Sequence, residues 1–104
     1  MDDLLIKKAL ISNKILPNLK GYKYCFEVVK LLLKEDLPLK KAYEVVGVKY
    51  KVKANSVEKS VSNAISKAFL SREMQERYVN LCYSTGKINN KTFIKILKEQ
   101  IIKV

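Results

Sequence analysis

The sequence predicts an all-α fold, a compact bundle of about six helices that contains a helix-turn-helix. Two observations lead to this prediction. Hydrophobic residues recur at intervals of three and four along most of the chain, and no segment bounded by turn residues alternates polar and apolar residues as a strand would. The chain has 104 residues, 48% of them hydrophobic, which suffices for one modest core. We therefore expect a single domain over residues 1–104.

The first two predicted helices occupy the N-terminal third of the chain. The first begins at Asp2 or Asp3, whose carboxylates can cap free N–H groups, and ends before Pro17. The second begins near Gly21 and extends to Lys34. The side chains expected to face the core are Leu4, Leu5, Ala9 and Leu10 in the first helix, and Tyr22, Cys25, Phe26, Val29, Leu32 and Leu33 in the second.

The third predicted helix has Pro38 in its first turn, where a missing N–H costs nothing, and runs to about Val52. Its expected core residues are Leu39, Ala42, Tyr43, Val46 and Tyr50. Glycine inside a helix costs about 1 kcal/mol relative to alanine. Gly47 therefore suggests that the following helix crosses closely over the backbone here, although a simple helix break also fits.

The fourth predicted helix runs from Asn55 to about Leu70. Asn55 can cap its N-terminus, and Glu58 can reach back to the capping residue. Together with the helix before it, this segment has the pattern of a helix-turn-helix over residues 43–70. The second helix of such a motif can enter the major groove of DNA.

The C-terminal third predicts two more helices. One opens at Ser71 or Arg72 and runs through Tyr83, where the sequence Ser84-Thr85-Gly86 ends it. Asn90 can cap the last helix. The apolar residues of that helix are Phe93, Ile94, Leu97, Ile101 and Ile102.

The fourth helix has two contrasting faces. The expected inner face consists of Val57, Val61, Ala64, Ile65, Ala68 and Phe69. The opposite face consists of Asn55, Ser56, Glu58, Lys59, Ser62, Asn63, Ser66 and Lys67. These polar side chains can pair with base edges or phosphates. The same pattern also fits an ordinary solvated helix, and periodicity does not separate the two interpretations.

The charge of the chain favours an anionic partner. There are 21 lysines and arginines against 10 acidic residues, a net charge of +11. Residues 39–70 contain seven lysines and only two glutamates. The expected phosphate contacts in this region are Lys49, Lys51, Lys53, Ser66 and Lys67, each of which also fits a solvated surface position.

Composition argues against several other classes of function. The chain has no histidine, the usual general base and metal ligand, so we expect no enzyme, no metal and no cofactor. Cys25 and Cys82 lie far apart among apolar neighbours, which favours buried thiols over a disulfide. No apolar stretch is long enough to span a bilayer, and the acidic start differs from a secretory signal. We therefore expect a cytoplasmic protein that has no membrane partner.

Several segments resemble a known family. Gly21-Tyr22-Lys23-Tyr24, preceded by Leu19 and followed by Glu27, and residues 43–65 are similar in order and spacing to the C-terminal effector domain of stage zero sporulation protein A, the sporulation response regulator of endospore-forming bacteria. The segments 84–90 and 93–94 are similar to that domain's loop and final helix. The resemblance runs from about Ile11 to the end, with one short internal gap.

The resemblance implies a six-helix domain that binds a short DNA box, often as tandem copies. On the matching positions it implies base contacts from Glu58, Lys59, Ser62 and Asn63, and contacts to the phosphate backbone from Lys87 and Asn89. The family pattern has arginines where Lys59 and Ser62 stand here, so we expect a different target sequence. The family domain normally follows a phosphoacceptor receiver, whereas we expect this domain to stand alone.

The leading hypothesis is a sequence-specific double-stranded DNA-binding protein that acts as a transcriptional regulator. Its base-reading residues would be Asn55, Ser56, Glu58, Lys59, Ser62 and Asn63. It would bind as side-by-side copies or as a homodimer, with a recombinase or RNA polymerase as a further partner. One alternative is an architectural accessory factor for site-specific recombination of a mobile element, acting in excision or directionality. Another is a protein-interaction module that uses the last helix.

Overall fold

The computed structural model describes residues 3–80 and 88–102 and confirms the all-α prediction. Its six helices are α1 (Asp3–Ser12), α2 (Lys20–Lys34), α3 (Leu39–Tyr50), α4 (Ala54–Ala68), α5 (Arg72–Arg77) and α6 (Asn90–Ile102). Helix α4 packs mainly against α2 and α3, and α6 packs against α1, α2 and α4. None of these helices is both long enough and apolar enough to cross a bilayer.

The core faces of the first two helices differ from the prediction. In α1, Leu4 is 54% exposed and Ile6 is buried in its place, while Leu10 is buried as predicted. In α2, Tyr24 and Val28 are buried, together with the predicted Cys25, Val29 and Leu32. The side chains of Tyr22, Phe26 and Leu33 lie at the edge of the core and are half-buried. The buried stripe of α2 is therefore rotated, because α3, α4 and α6 all pack on this one helix.

A buried asparagine fixes the end of α1. Asn13 is fully buried, and its amide donates hydrogen bonds to the Ala9 carbonyl (2.7 Å) and to Gln100 Oε1 (2.8 Å). Its Oδ1 accepts a hydrogen bond from the Tyr78 hydroxyl. Lys14 follows in the left-handed region at φ 62°, which turns the chain out of the helix. This polar cluster joins the end of α1 to α6 and to the turn after α5.

The turn of the helix-turn-helix spans residues 51–53. Lys51 lies in the left-handed region at φ 58°, and the Val52 N–H donates to the Gly47 carbonyl (2.9 Å), which closes α3. Lys53 then precedes α4 with no side-chain cap, so the prediction that Asn55 caps this helix is wrong. Asn55 lies inside the first turn instead and is exposed. The two helices of the motif thus span 39–68, against the predicted 43–70.

The close helix crossing lies at a different glycine from the one predicted. A Cβ at Gly47 would lie 2.6 Å from the Val52 carbonyl oxygen, so this glycine makes room for the turn and not for the body of α4. At Gly21 a Cβ would lie 2.3 Å from the Ser60 carbonyl oxygen and 2.7 Å from the Ala64 Cβ. Gly21 is therefore the position at which α2 and α4 come into backbone contact.

The last two helices are shorter or capped differently than predicted. Helix α5 ends at Arg77 and not at Tyr83, because a turn follows at residues 78–80. The predicted helix stop at residues 84–86 lies outside the described residues. Asn89 is the cap of α6: its Oδ1 accepts a hydrogen bond from the Thr92 N–H (2.8 Å). The predicted cap at Asn90 is therefore wrong.

Cys25 lies in the centre of the core, where burial raises the pKa of its thiol from 9.0 to about 12. Below pH 9 the thiol is protonated in both the folded and the unfolded state. Between pH 9 and about 12 the unfolded state loses a proton that the folded state keeps. The free energy of unfolding should therefore fall across that window. Cys82 lies outside the described residues.

This burial predicts that Cys25 is unreactive in the native protein. In a Cys82→Ser variant, which leaves one thiol, we expect iodoacetamide at pH 8 to modify Cys25 at least about a hundredfold more slowly than in the urea-unfolded chain. Mass spectrometry of timed samples measures both rates. Equal rates in the two states would contradict the burial of this thiol.

Candidate nucleic-acid interface

Helix α4 presents a long polar face to solvent. Its inner residues Val57, Val61, Ala64, Ile65 and Ala68 are buried, as is Phe69 just after it. Of the predicted contact residues on the outer face, Ser62 is half-buried. The others are exposed: Asn55, Ser56, Glu58, Lys59, Asn63, Ser66 and Lys67. The two faces predicted for this helix are therefore both present.

The start of α6 joins the first half of α4 to form a groove of about 560 Å³. Glu58, Lys59 and Ser62 line one side, and Asn89 and Lys91 line the other. The structure thus brings three predicted base-reading residues together with Asn89, which was predicted to contact phosphate. Asn89 also caps α6, so its side-chain oxygen is held by the Thr92 N–H.

Asn90 connects α6 to both helices of the helix-turn-helix. Its Nδ2 donates hydrogen bonds to the Tyr43 hydroxyl on α3 (3.1 Å) and to the Glu58 carbonyl on α4 (3.4 Å). Burial raises the pKa of the Tyr43 phenol, so this hydroxyl remains protonated near neutral pH. Asn90 therefore fixes the position of α4 relative to α3 from the side that borders the groove.

A second, smaller groove of about 140 Å³ lies on the other side of α4. Asn63 and Lys67 line it together with Lys20 at the start of α2. Asn63 thus borders a different groove from Glu58 and Lys59, and the exposed face of α4 lies between the two. Lys20 adds a positive charge next to Lys67, at the end of α4 opposite the turn.

The lysines before α4 differ in their partners. Lys49 on α3 forms an ion pair with Glu27 on α2, with 2.8 Å between Nζ and Oε2, and this hydrogen bond raises the pKa of Lys49. Lys51 and Lys53 are exposed in the turn, and within residues 3–80 and 88–102 no carboxylate lies within 4 Å of either ammonium group. The charges of these two lysines remain available to an anion.

Sequence reasoning missed three residues of this surface. Lys20 and Lys91 belong to helices far from α4 in sequence, and only the packing of α2 and α6 brings them to it. Asn90 was interpreted as a cap, and no local pattern could show that its amide reaches α3. Lys87, a predicted phosphate contact, lies outside the described residues. Over the described part of the chain, no three metal-binding side chains come together.

The bridging role of Asn90 gives a testable prediction. Asn90→Ala should lower the free energy of unfolding by about 1–2 kcal/mol, because it leaves the Tyr43 hydroxyl without this partner. Tyr43→Phe removes the other half of the same hydrogen bond. The free energies of unfolding lost in the two single variants should therefore sum to clearly more than the free energy lost in the double variant. Urea denaturation measures all three values. Fully additive losses would contradict the bridge.

Comparison with known proteins gives one match. A family model described as the sporulation initiation factor Spo0A C terminal matches residues 6–101. The matched region includes all of α2 to α5, most of α1 and nearly all of α6. It therefore extends slightly beyond the start of the predicted resemblance near Ile11. Neither a search of curated proteins nor one of solved structures gave a significant match.

Proposed function

We propose that this chain, which belongs to the family of the Spo0A C-terminal domain, reads a specific sequence of double-stranded DNA as a transcriptional regulator. The family is a DNA-binding transcription-regulator domain, which makes duplex DNA the partner. The proposal adds that α4 enters the major groove. Glu58, Lys59, Ser62 and Asn63 would contact base edges there, with Asn55 and Ser56 at the start of the helix.

The observation that carries the proposal is the exposed polar face of α4 on a rigid support. Helices α2, α3 and α6 hold the opposite face, and backbone contact at Gly21 and the Asn90 bridge fix the helix from two sides. A reading helix needs this rigidity, because base contacts depend on side-chain positions within a fraction of an ångström. The composition of the face suits hydrogen bonding to base edges.

Phosphate contacts would flank α4 at both ends. Lys51 and Lys53 lie in the turn before it, and Lys20 and Lys67 lie near its other end. Ser66, Asn89 and Lys87 remain in the proposed set. Lys49 would join only by exchanging its Glu27 partner for a phosphate, since the ion pair holds it in the free protein. Each contact between a lysine and a phosphate should contribute about one unit to the slope of log K against log salt concentration.

A regulator of this size would bind DNA as side-by-side copies or as a homodimer. RNA polymerase would be a further partner. The family match gives no support to the alternative role in recombination, or to a recombinase partner. The alternative of a protein-interaction surface made by the apolar residues of α6 loses its main support, because Ile102 is exposed but the other members of that set are buried in the core: Phe93, Ile94, Leu97 and Ile101.

The decisive experiment is the selection of bound duplexes from a random pool at near-physiological salt. We expect enrichment of a short box, and repeated boxes at a fixed spacing if copies bind side by side. The Spo0A-type box, included as a separate probe, should bind more weakly than the selected one because lysine and serine replace two arginines. A pool that stays random after repeated rounds would reject sequence-specific binding.

A further inference from the structure

A third groove, of about 420 Å³, lies between α6 and the segment that connects α2 to α3. Its lining includes the apolar side chains of Leu32, Leu37 and Ile94. Leu32 and Ile94 belong to the core, whereas Leu37 lies in the connecting segment and is half-buried. The apolar surface that remains open in the groove therefore comes mainly from the connecting segment and the start of α3, where Leu37 and Leu39 are half-buried and Pro38 is exposed.

Four lysines line the groove beside its apolar residues. Lys91, Lys95 and Lys98 lie on one face of α6 at spacings of four and three, and Lys40 lies across the groove at the start of α3. Among the residues that the structure describes, no acidic one lines the groove. Over the described residues, none of these four ammonium groups has a carboxylate within 4 Å.

Lack of a carboxylate partner does not by itself distinguish these lysines, because Lys51 and Lys53 have none within 4 Å among the described residues either. The arrangement of the groove lysines around an apolar floor does. Lys14, Lys30 and Lys49 each have a carboxylate partner on another helix of the same chain. Four unpaired cations around an apolar floor repel one another, and an occupant that brings both negative charge and apolar groups would relieve this repulsion while covering the floor. The complementary chemistry is that of an acidic amphipathic peptide.

We propose that this groove binds an acidic segment of a partner protein, in which one or two bulky apolar side chains are flanked by aspartates or glutamates. The apolar side chains would cover Leu37, Pro38 and Leu39, and the carboxylates would pair with the lysines. A DNA backbone supplies the charge but no apolar group for the floor, which favours a peptide. The proposal goes beyond DNA binding and does not depend on it.

The test uses a fluorophore-labelled synthetic peptide with the core Leu-Leu-Phe and aspartates on both sides. Fluorescence anisotropy at low salt measures its Kd for the full chain. Lys95→Glu should raise the Kd about fivefold or more, since it removes an attraction and adds a repulsion. Lys8→Glu on α1 makes the same change of charge at an exposed position outside the groove and should change the Kd less than twofold. A peptide with alanines in place of Leu-Leu-Phe should also bind at least about fivefold more weakly.

Two results would overturn the proposal. If Lys8→Glu weakens peptide binding as much as Lys95→Glu does, or if the alanine peptide binds equally well, the attraction is one of net charge alone. If Lys95→Glu weakens binding to the selected DNA box as strongly as it weakens peptide binding, the groove belongs to the DNA surface. A chain that selects no DNA box but binds the peptide in the expected way would reject the proposed DNA reading and leave this proposal intact.

Discussion

Lys59→Ala and Asn63→Ala should each remove most of the sequence preference of DNA binding without changing the free energy of unfolding appreciably. Both side chains are exposed on α4, so truncating them opens no cavity in the core. Each good contact to a base edge is worth about 1–3 kcal/mol of discrimination. We therefore expect the ratio of specific to non-specific affinity to fall by a factor of about 5 to 150 for each substitution.

The measurement compares the Kd for the selected box with the Kd for a scrambled duplex at the same salt concentration. Lys8→Ala and Asn80→Ala remove the same two side-chain types at exposed positions on other parts of the chain, and both should keep the wild-type ratio. Lys59→Ala also removes a charge, so its non-specific affinity should fall slightly, whereas that of Asn63→Ala should not. Wild-type ratios in both α4 variants would show that this helix does not read the box.

Gly21→Ala should destabilise the protein by about 3 kcal/mol and lower its melting temperature by roughly 12–24 °C. Alanine is the better residue for a helix, so intrinsic propensity alone predicts a gain of about 1 kcal/mol. The new methyl group, however, would lie 2.3 Å from the Ser60 carbonyl oxygen. A backbone oxygen cannot move out of the way as the end of a side chain can. Helices α2 and α4 would therefore have to move apart.

Thermal unfolding followed by circular dichroism measures this effect. Lys20→Ala, an exposed position one residue earlier in the same helix, is the control and should leave the melting temperature nearly unchanged. Because α4 moves with the clash, DNA affinity of Gly21→Ala should fall even at temperatures where the variant remains folded. Gly21→Ala with wild-type stability would show that the two helices do not touch at this glycine.

The sequence predicts the buried and exposed faces of a helix correctly where the order of polar and apolar residues within that one helix defines them. Helix α4 has apolar residues on one side and short polar residues on the other, and the structure buries and exposes them accordingly. The family resemblance followed from the order and spacing of short motifs, and the family match over residues 6–101 confirms it. Helix ends were less predictable: Asn55 and Asn90 have the residue type of a cap, yet Lys53 and Asn89 occupy the cap positions.

The candidate site depended more on packing than on local pattern. The sequence named Glu58, Lys59 and Asn63, but it could not show that Asn63 borders a different groove from the other two. The second wall of the groove at Glu58 and Lys59 comes from α6, and that of the groove at Asn63 comes from α2. The basic groove containing Lys95 had no sequence signal either. Its lysines resemble ordinary solvated positions until the chain between α2 and α3 packs opposite them.

By itself, the sequence determined the helical fold, the positive charge and the two faces of α4, because periodicity and composition are properties of local chain segments. Tertiary structure alone decided that Gly21, and not Gly47, is the glycine at which the backbone of another helix approaches the body of α4 most closely, because contact between helices depends on the residues of both partners. It also decided that Asn90 reaches Tyr43, 47 residues away in sequence, and so fixes the reading helix in place. Contacts over such separations depend on how the whole core packs, which no local pattern encodes.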